Sequence, residues 1–279
     1  MWGPEQRRAA VAVTFDNLGE ASELERGRWP PDEPLGRHVS VTRGLPRVLA
    51  LLSEHGLPAT FFVEGVNAQL YPDALRTIVG AGHELAYHGW RHEGWADLAP
   101  AREDEVLERG VNALGQLGPR PVGFRPPGGA LRTSAWRALA EAGFTYCSPA
   151  GDGAARRFGL IVLPFRWTLI DAFHYLPRFA QRRRAALGNP DSLPPAALQA
   201  NLSKALRHTV QRGSFLALVF HPFLADDADR LEAAGAVLDE LQALIDQQAV
   251  WCASMREIAA WMREQPEAGS WALRLDQEE

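Results

Sequence analysis

The feature that most narrows the fold of this chain is a series of short, almost wholly apolar runs separated by helical stretches. The runs are Ala9–Phe15, Ala59–Val63, Glu84–Tyr87, Val122–Phe124, Leu160–Leu163 and Phe215–Phe220. They do not alternate apolar with polar, so they suit parallel strands covered on both faces. Between them, Leu45, Val48, Leu49 and Leu52 recur at helical spacing, with Gly56 as a stop. Leu107, Val111 and Leu114 mark a second helix, and Thr133–Ala142 before Gly143 a third. Leu231, Ala234, Leu238, Leu241 and Ile245 mark a long fourth one. Strand–helix alternation of this kind predicts an α/β fold, its parallel sheet open or closed into a barrel by right-handed crossovers. A length of 279 residues is compatible with one α/β barrel. With no internal repeat or linker, the expectation is one domain over 1–279, with loop insertions at about 17–40 and 177–195.

Composition excludes several classes. A net charge of −5 provides no basic footprint for nucleic acid. Two cysteines, Cys147 and Cys252, cannot build a disulfide framework or a Cys-rich zinc site, and lone thiols fit a reducing compartment. No early apolar stretch reads as a secretory leader, and none reaches the ~18 residues of a membrane helix. The expectation is a cytoplasmic protein acting on a small molecule, without membrane or nucleic-acid partners. No surface pattern specifies an oligomeric state.

Chemistry concentrates where strands end, the place where parallel α/β folds build active sites. Asp16-Asn17 follow the first strand and His88 through Glu93 the third. Arg125-Pro126-Pro127-Gly128 follow the fourth, Asp171 lies past the 160–163 strand, and His221 ends the last. His88 and His92, four apart, can share a divalent ion, and with one oxygen ligand they leave a position open for water. Asp16 is then a candidate general base and His221 a candidate general acid for a departing nitrogen. Arg125, its backbone restrained by prolines, can orient Asp16, and Asp171 can orient Arg125. The Gly128 N–H can face a developing oxyanion. Trp90 and Trp95 can stack on a sugar face or simply pack, and Glu93 and Asp97 can support an imidazole or cap a helix. The run Arg182-Arg183-Arg184 reads more readily as a solvated helix face than as an anion site.

The ordered set TFDN, HGWRH, RPPG, a later Asp among aromatics, and an apolar strand ending in His resembles the polysaccharide deacetylase superfamily. This is the NodB-homology group, carbohydrate esterase family four, and the similarity runs from Val11 to about Met262. The resemblance implies a distorted (β/α) barrel of about seven parallel strands and metal-dependent hydrolysis of N-acetyl groups on amino sugars. It implies Asp16 as base, His88 and His92 as metal ligands, Arg125 as the arginine holding the base, and His221 as acid. Asp171 would orient the arginine, and Trp167, Phe173, His174 and Tyr175 would flank the substrate. The HGWRHE form resembles the branch of peptidoglycan deacetylase-like proteins and metal-independent allantoinases.

One departure bears on the metal. The family carries a second Asp where this chain has Asn17, a neutral oxygen donor. Asn17 can ligate weakly, Asp16 can enter the metal's shell, or no metal binds. A set of two histidines and one oxygen suits zinc foremost, and also cobalt, manganese, iron or nickel. The leading expectation is a metal-dependent hydrolase of non-peptide C–N bonds that deacetylates an amino sugar or sugar-containing metabolite. Cyclic amide or imide hydrolysis and a non-catalytic carbohydrate-binding pseudoenzyme are the alternatives.

Overall fold

The computed structural model describes residues 1–265 and 271–276. Ten strands are described: β1 Ala9–Asp16, β2 Ala59–Val63, β3 Glu84–Tyr87, β4 Gly123–Phe124, β5 Tyr146–Cys147, β6 Gly151–Arg157, β7 Leu160–Val162, β8 Phe215–Phe220, β9 Val250–Cys252 and β10 Trp271–Leu275. They form one curled sheet in the order β10-β6-β7-β5-β4-β3-β2-β1-β8, with β9 also on β1. The pairs from β8 through β1, β2, β3, β4 and β5 to β7 are all parallel. That path has seven strands, the distorted (β/α) barrel that the family resemblance implies. An isolated parallel bridge between Ile170 and Val219 brings the chain after β7 against β8 and curls the sheet toward closure. Strands β6 and β10 are antiparallel additions at the far edge.

The sequence explains why the central strands sit where they do. Every residue of β1, β2, β3 and β8 is buried, as helices outside and side chains inside the curl require. Helices Leu45–His55, Pro100–Gly115, Thr133–Glu141 and Ala228–Asp246 match the four apolar periodicities. The first ends on Gly56 in left-handed conformation, φ 61°. Close packing sets a glycine at 110, where an added Cβ would lie 2.2 Å from the Tyr87 ring.

The N-terminal end of the barrel is closed by a satisfied polar network. Glu84, at the start of β3, accepts hydrogen bonds from Thr60 Oγ1 (2.9 Å), Tyr146 Oη (3.0 Å) and the Arg256 N–H (2.9 Å). The last of these anchors the first turn of helix Met255–Glu264, whose own start is a Ser254/Glu257 capping box.

The 177–195 stretch is not the loop the sequence suggested. A single 3₁₀ turn, Pro177–Phe179, leads into helix Ala180–Leu187. That helix has no apolar stripe, and its one buried residue is Arg183, so periodicity could not reveal it. The 17–40 stretch is mainly irregular but contains helix Ala21–Glu25. Among the described residues no helix is long and apolar enough to cross a membrane.

Candidate active site

The C-terminal ends of the strands surround a cavity of about 430 Å³. Asp16, Asn17, His88, His92, Arg125, Gly128, Trp167 and His221 all line it. Four of the five strand-end signals, weak when read separately, therefore meet at one mouth; Asp171 does not line it.

Two side-chain pairs are built into that mouth. Arg125 is fully buried. Its Nη1 donates to Asp16 Oδ1 at 2.7 Å and to Thr14 Oγ1 at 2.9 Å. Its Nε and Nη2 donate to Ser148 Oγ, and its plane lies 4.0 Å over the Phe62 ring. With every nitrogen committed, the guanidinium holds Asp16 in a fixed position, and Asp16 Oδ2 is left without a hydrogen bond among the described residues. In the second pair, Asp171 Oδ1 accepts from His221 Nδ1 at 2.6 Å, and Asp171 Oδ2 accepts from the His221 backbone N–H at 2.7 Å. The tautomer is thereby set, and His221 Nε2 is the nitrogen left for chemistry.

This corrects one expectation. Asp171 orients His221 rather than Arg125. The helical turn Asp171–Tyr175 begins directly after Ile170, which bridges to Val219 on β8, so its first carboxylate falls beside the residue that ends β8.

His88 donates from Nδ1 to the Arg125 carbonyl at 2.7 Å, which leaves Nε2 as a lone-pair donor. Burial lowers its pKa to about 4, so it is neutral at physiological pH. His92 is held in positive φ, 71°, its ring 4.9 Å from that of His88 and near-perpendicular to it. Burial, then the neighbouring His88, push its pKa well down. Asn17 also has positive φ, 60°, and its buried Oδ1 has no partner. Two non-glycine residues in this region, both facing one cavity, mark stored strain at a functional site.

The residue that sequence reasoning missed is Glu64. Ligand atoms of Glu64, His88 and His92 lie within 4.8 Å of one another. Glu64 is fully buried and accepts from Asn67 Nδ2 at 3.2 Å. The backbone N–H groups of Glu64 itself and of Leu18 also favour its carboxylate, and among the described residues Oε1 has no partner at hydrogen-bond geometry. Burial, and then Asp16 nearby, raise its pKa well above the usual carboxylate range. The signal was present in ATFFVEG, where Glu64 directly follows β2. The strand-end rule that found Asp16, His88, Arg125 and His221 applies there too. A divalent ion fits this donor set, which combines two neutral imidazoles with a carboxylate whose free oxygen is otherwise an orphan.

Other expected positions fall elsewhere. Trp90 is buried away from the cavity; Arg109 lies 3.8 Å over its ring, and its edge lies where a Cβ on Gly65 would go. Trp95 is likewise core. His174 points toward helix Pro195–Arg212, its Nε2 3.0 Å from the Thr168 carbonyl and 3.5 Å from Asn201. Tyr175 lines a separate, largely apolar cavity of about 30 Å³ under Arg230. Asp171 and Tyr175, four apart and so on one face of the five-residue helix, line that smaller cavity together, and neither lines the larger one. Trp167 does line it. Glu93 accepts from the Trp90 and Arg91 backbone N–H groups and so shapes the turn between the two histidines. Gly128 lines the cavity in positive φ, 82°, with open space where a Cβ would project.

Comparison with known proteins agrees with this architecture. Residues 4–147 match the family model described as polysaccharide deacetylase. A chain from Mycobacterium smegmatis assigned as a polysaccharide deacetylase superposes with TM-score 0.81 at 30% identity, over 99% of this chain and 97% of the other. The chain belongs to the polysaccharide deacetylase family, the NodB-homology superfamily. A peptidoglycan deacetylase of Helicobacter pylori is 33% identical over 104 residues, 37% of this chain and 36% of that protein. The matches cover between about a quarter and a half of the length of the first curated relatives. PuuE allantoinase shares the fold, with TM-score 0.73 at 21% identity over 94% and 92% of the two chains. The matched family segment contains Asp16, Glu64, His88, His92 and Arg125; Asp171 and His221 lie beyond it.

Proposed function

We propose that this chain is a hydrolase of non-peptide C–N bonds that removes the acetyl group from an N-acetylated amino sugar or sugar-containing metabolite. The observation that carries the reading is the pairing in one cavity of Asp16 held by Arg125 with His221 held by Asp171. Asp16 Oδ2 takes a proton from the attacking water, and the fixed guanidinium keeps that oxygen aimed. His221, its Nδ1 held by Asp171, delivers a proton through Nε2 to the departing nitrogen. The Gly128 N–H stabilises the acyl oxygen as it gains charge. Glu64, His88 and His92, with Asn17 adjacent, would hold one divalent ion, zinc foremost. When bound, that ion supplies Lewis-acid polarisation of the acyl group. Trp167 offers an aromatic wall for a sugar face. The cavity volume falls in the range of small-molecule sites, which supports a small substrate over an open polymer groove.

The direct test is acetate release from N-acetylglucosamine and its short oligomers, with and without added zinc, manganese or cobalt. Acetate formed by the wild type and lost in Asp16→Asn supports the reading. Ring opening of a cyclic amide with no acetate from any sugar would overturn it in favour of allantoinase-like chemistry.

A further inference from the structure

Four guanidinium groups line the cavity, Arg26, Arg125, Arg178 and Arg182, against two carboxylates, Asp16 and Glu25. Arg125 is committed to Asp16. Three arginines then face Glu25 alone, on a chain whose net charge is −5. The mouth therefore reverses the sign of the molecule.

Arg178 and Arg182 are poised rather than spent. Arg182 lies 4.4 Å over the Trp167 ring and Arg178 5.2 Å over the Phe179 ring. A guanidinium stacked on an aromatic face keeps its in-plane N–H donors free for a carboxylate or phosphate. Among the described residues neither arginine makes an ion pair with a carboxylate. Arg26, across the cavity, is steadied by Ser22 Oγ, and its Nη2 lies 3.5 Å from His92 Nδ1. That contact links the cationic rim to the reacting end. Around the rim, Glu25 is flanked by Glu93 and by Arg26, Arg91 and Arg102, and Arg178 by Glu23 and Asp171 and by Arg26 and Arg28, so the acids there are matched by further arginines.

The arginine run divides its labour. Arg183 is buried and donates to the carbonyls of Phe173, Leu176 and Pro190, pinning the 177–190 segment to the barrel. Arg184 is exposed and lines no part of the cavity. By fixing its own helix, Arg183 holds Arg178 and Arg182 over the mouth.

We propose that the site selects anionic substrates, acylated amines that carry a carboxylate or phosphate group bound by Arg26, Arg178 and Arg182 while the amide lies at Asp16 and His221. This rests on the deacetylase reading for the rest of the substrate, so its test includes binding as well as turnover. Binding of N-acetylglucosamine, N-acetylglucosamine 6-phosphate and N-acetylmuramic acid would be measured calorimetrically on His221→Ala protein, beside acetate release by otherwise unaltered protein. The expected result is binding of an anionic sugar about tenfold or more tighter than the neutral one. That preference should fade in high salt, fall to about one in Arg178→Ala/Arg182→Ala, and persist in Arg184→Ala. Which anionic sugar gains shows whether phosphate or carboxylate is the natural group. Equal affinity for all three, no measurable binding of any, or a preference that survives the double substitution would overturn the proposal. Charge-selective binding without acetate release would sustain it and sink the deacetylase reading, whereas acetate release with equal affinity and equal kcat/KM for all three does the reverse.

Discussion

Glu64 and Glu84 are both buried carboxylates on adjacent strands, at opposite ends of the barrel. Glu84, at the N-terminal end of β3, meets two hydroxyls, a backbone N–H and, at 3.6 Å, the Arg256 Nε. Glu64, just past the C-terminal end of β2, has one amide donor and an orphan oxygen beside two lone-pair imidazoles. Burial raises the pKa of both; at Glu84 the Arg256 N–H and guanidinium oppose it, whereas at Glu64 the nearby Asp16 adds to it. The difference shows what each end of the fold is for. A carboxylate satisfied by its own chain holds structure together, whereas one with an unpartnered oxygen beside two imidazoles is the position at which a cation would be accommodated.

The largest effects should come from the mouth, on rate. Asp16→Asn and His221→Ala should each cut turnover by about 10²–10⁴-fold, the range of a lost general base or acid. Circular dichroism and steady-state kinetics on the same samples check this. A variant retaining near-wild-type rate would break the assignment. The N-terminal end should respond in stability instead. Glu84→Gln turns an amide toward hydroxyl and N–H donors and should cost about 1–3 kcal/mol, read as a lower denaturant midpoint with turnover per folded molecule preserved.

Glu64→Gln should act in the opposite sense on metal-free protein. Removing a buried ionisable group that, among the described residues, faces no cationic side chain and keeps one oxygen unpartnered should raise stability by about 1 kcal/mol, while metal uptake is lost. A melting series with chelator present would sharpen the contrast. The smallest effect is on pH dependence. Glu64 has a folded pKa above its unfolded value of 4.5. Its contribution to stability is thus fully present below that value and lost as pH rises toward the folded pKa. As pH rises above 4.5, metal-free wild type should therefore lose more stability than Glu64→Gln does. Equal slopes would show that Glu64 carries no special burden.

Much of the site was legible because strands written as solid apolar runs leave their polar terminal residues conspicuous. Asp16, His88, His92, Arg125 and His221 stood out for that reason, and all five line one cavity. What was not legible has physical causes. Strands β4 and β5 have two residues each, too few for any period, and β6, with the pattern Gly-Asp-Gly-Ala-Ala-Arg-Arg, pairs at an edge without an apolar signature. Helix Ala180–Leu187 is held by the hydrogen bonds of Arg183 rather than by an apolar face. The side on which a short helix presents its residues depends on tertiary placement. That placement sent Asp171 to His221, and His174 and Tyr175 away from the cavity.

Glu64 is the residue on which the proposed metal centre depends. Metal content per chain, measured after incubation with zinc and removal of excess, tests it on wild type, Glu64→Gln and Glu84→Gln. The expected result is about one ion per chain in wild type and in Glu84→Gln, and none in Glu64→Gln. Wild type that takes up no zinc, manganese or cobalt, or a Glu64→Gln variant that binds metal as tightly as wild type, would contradict it.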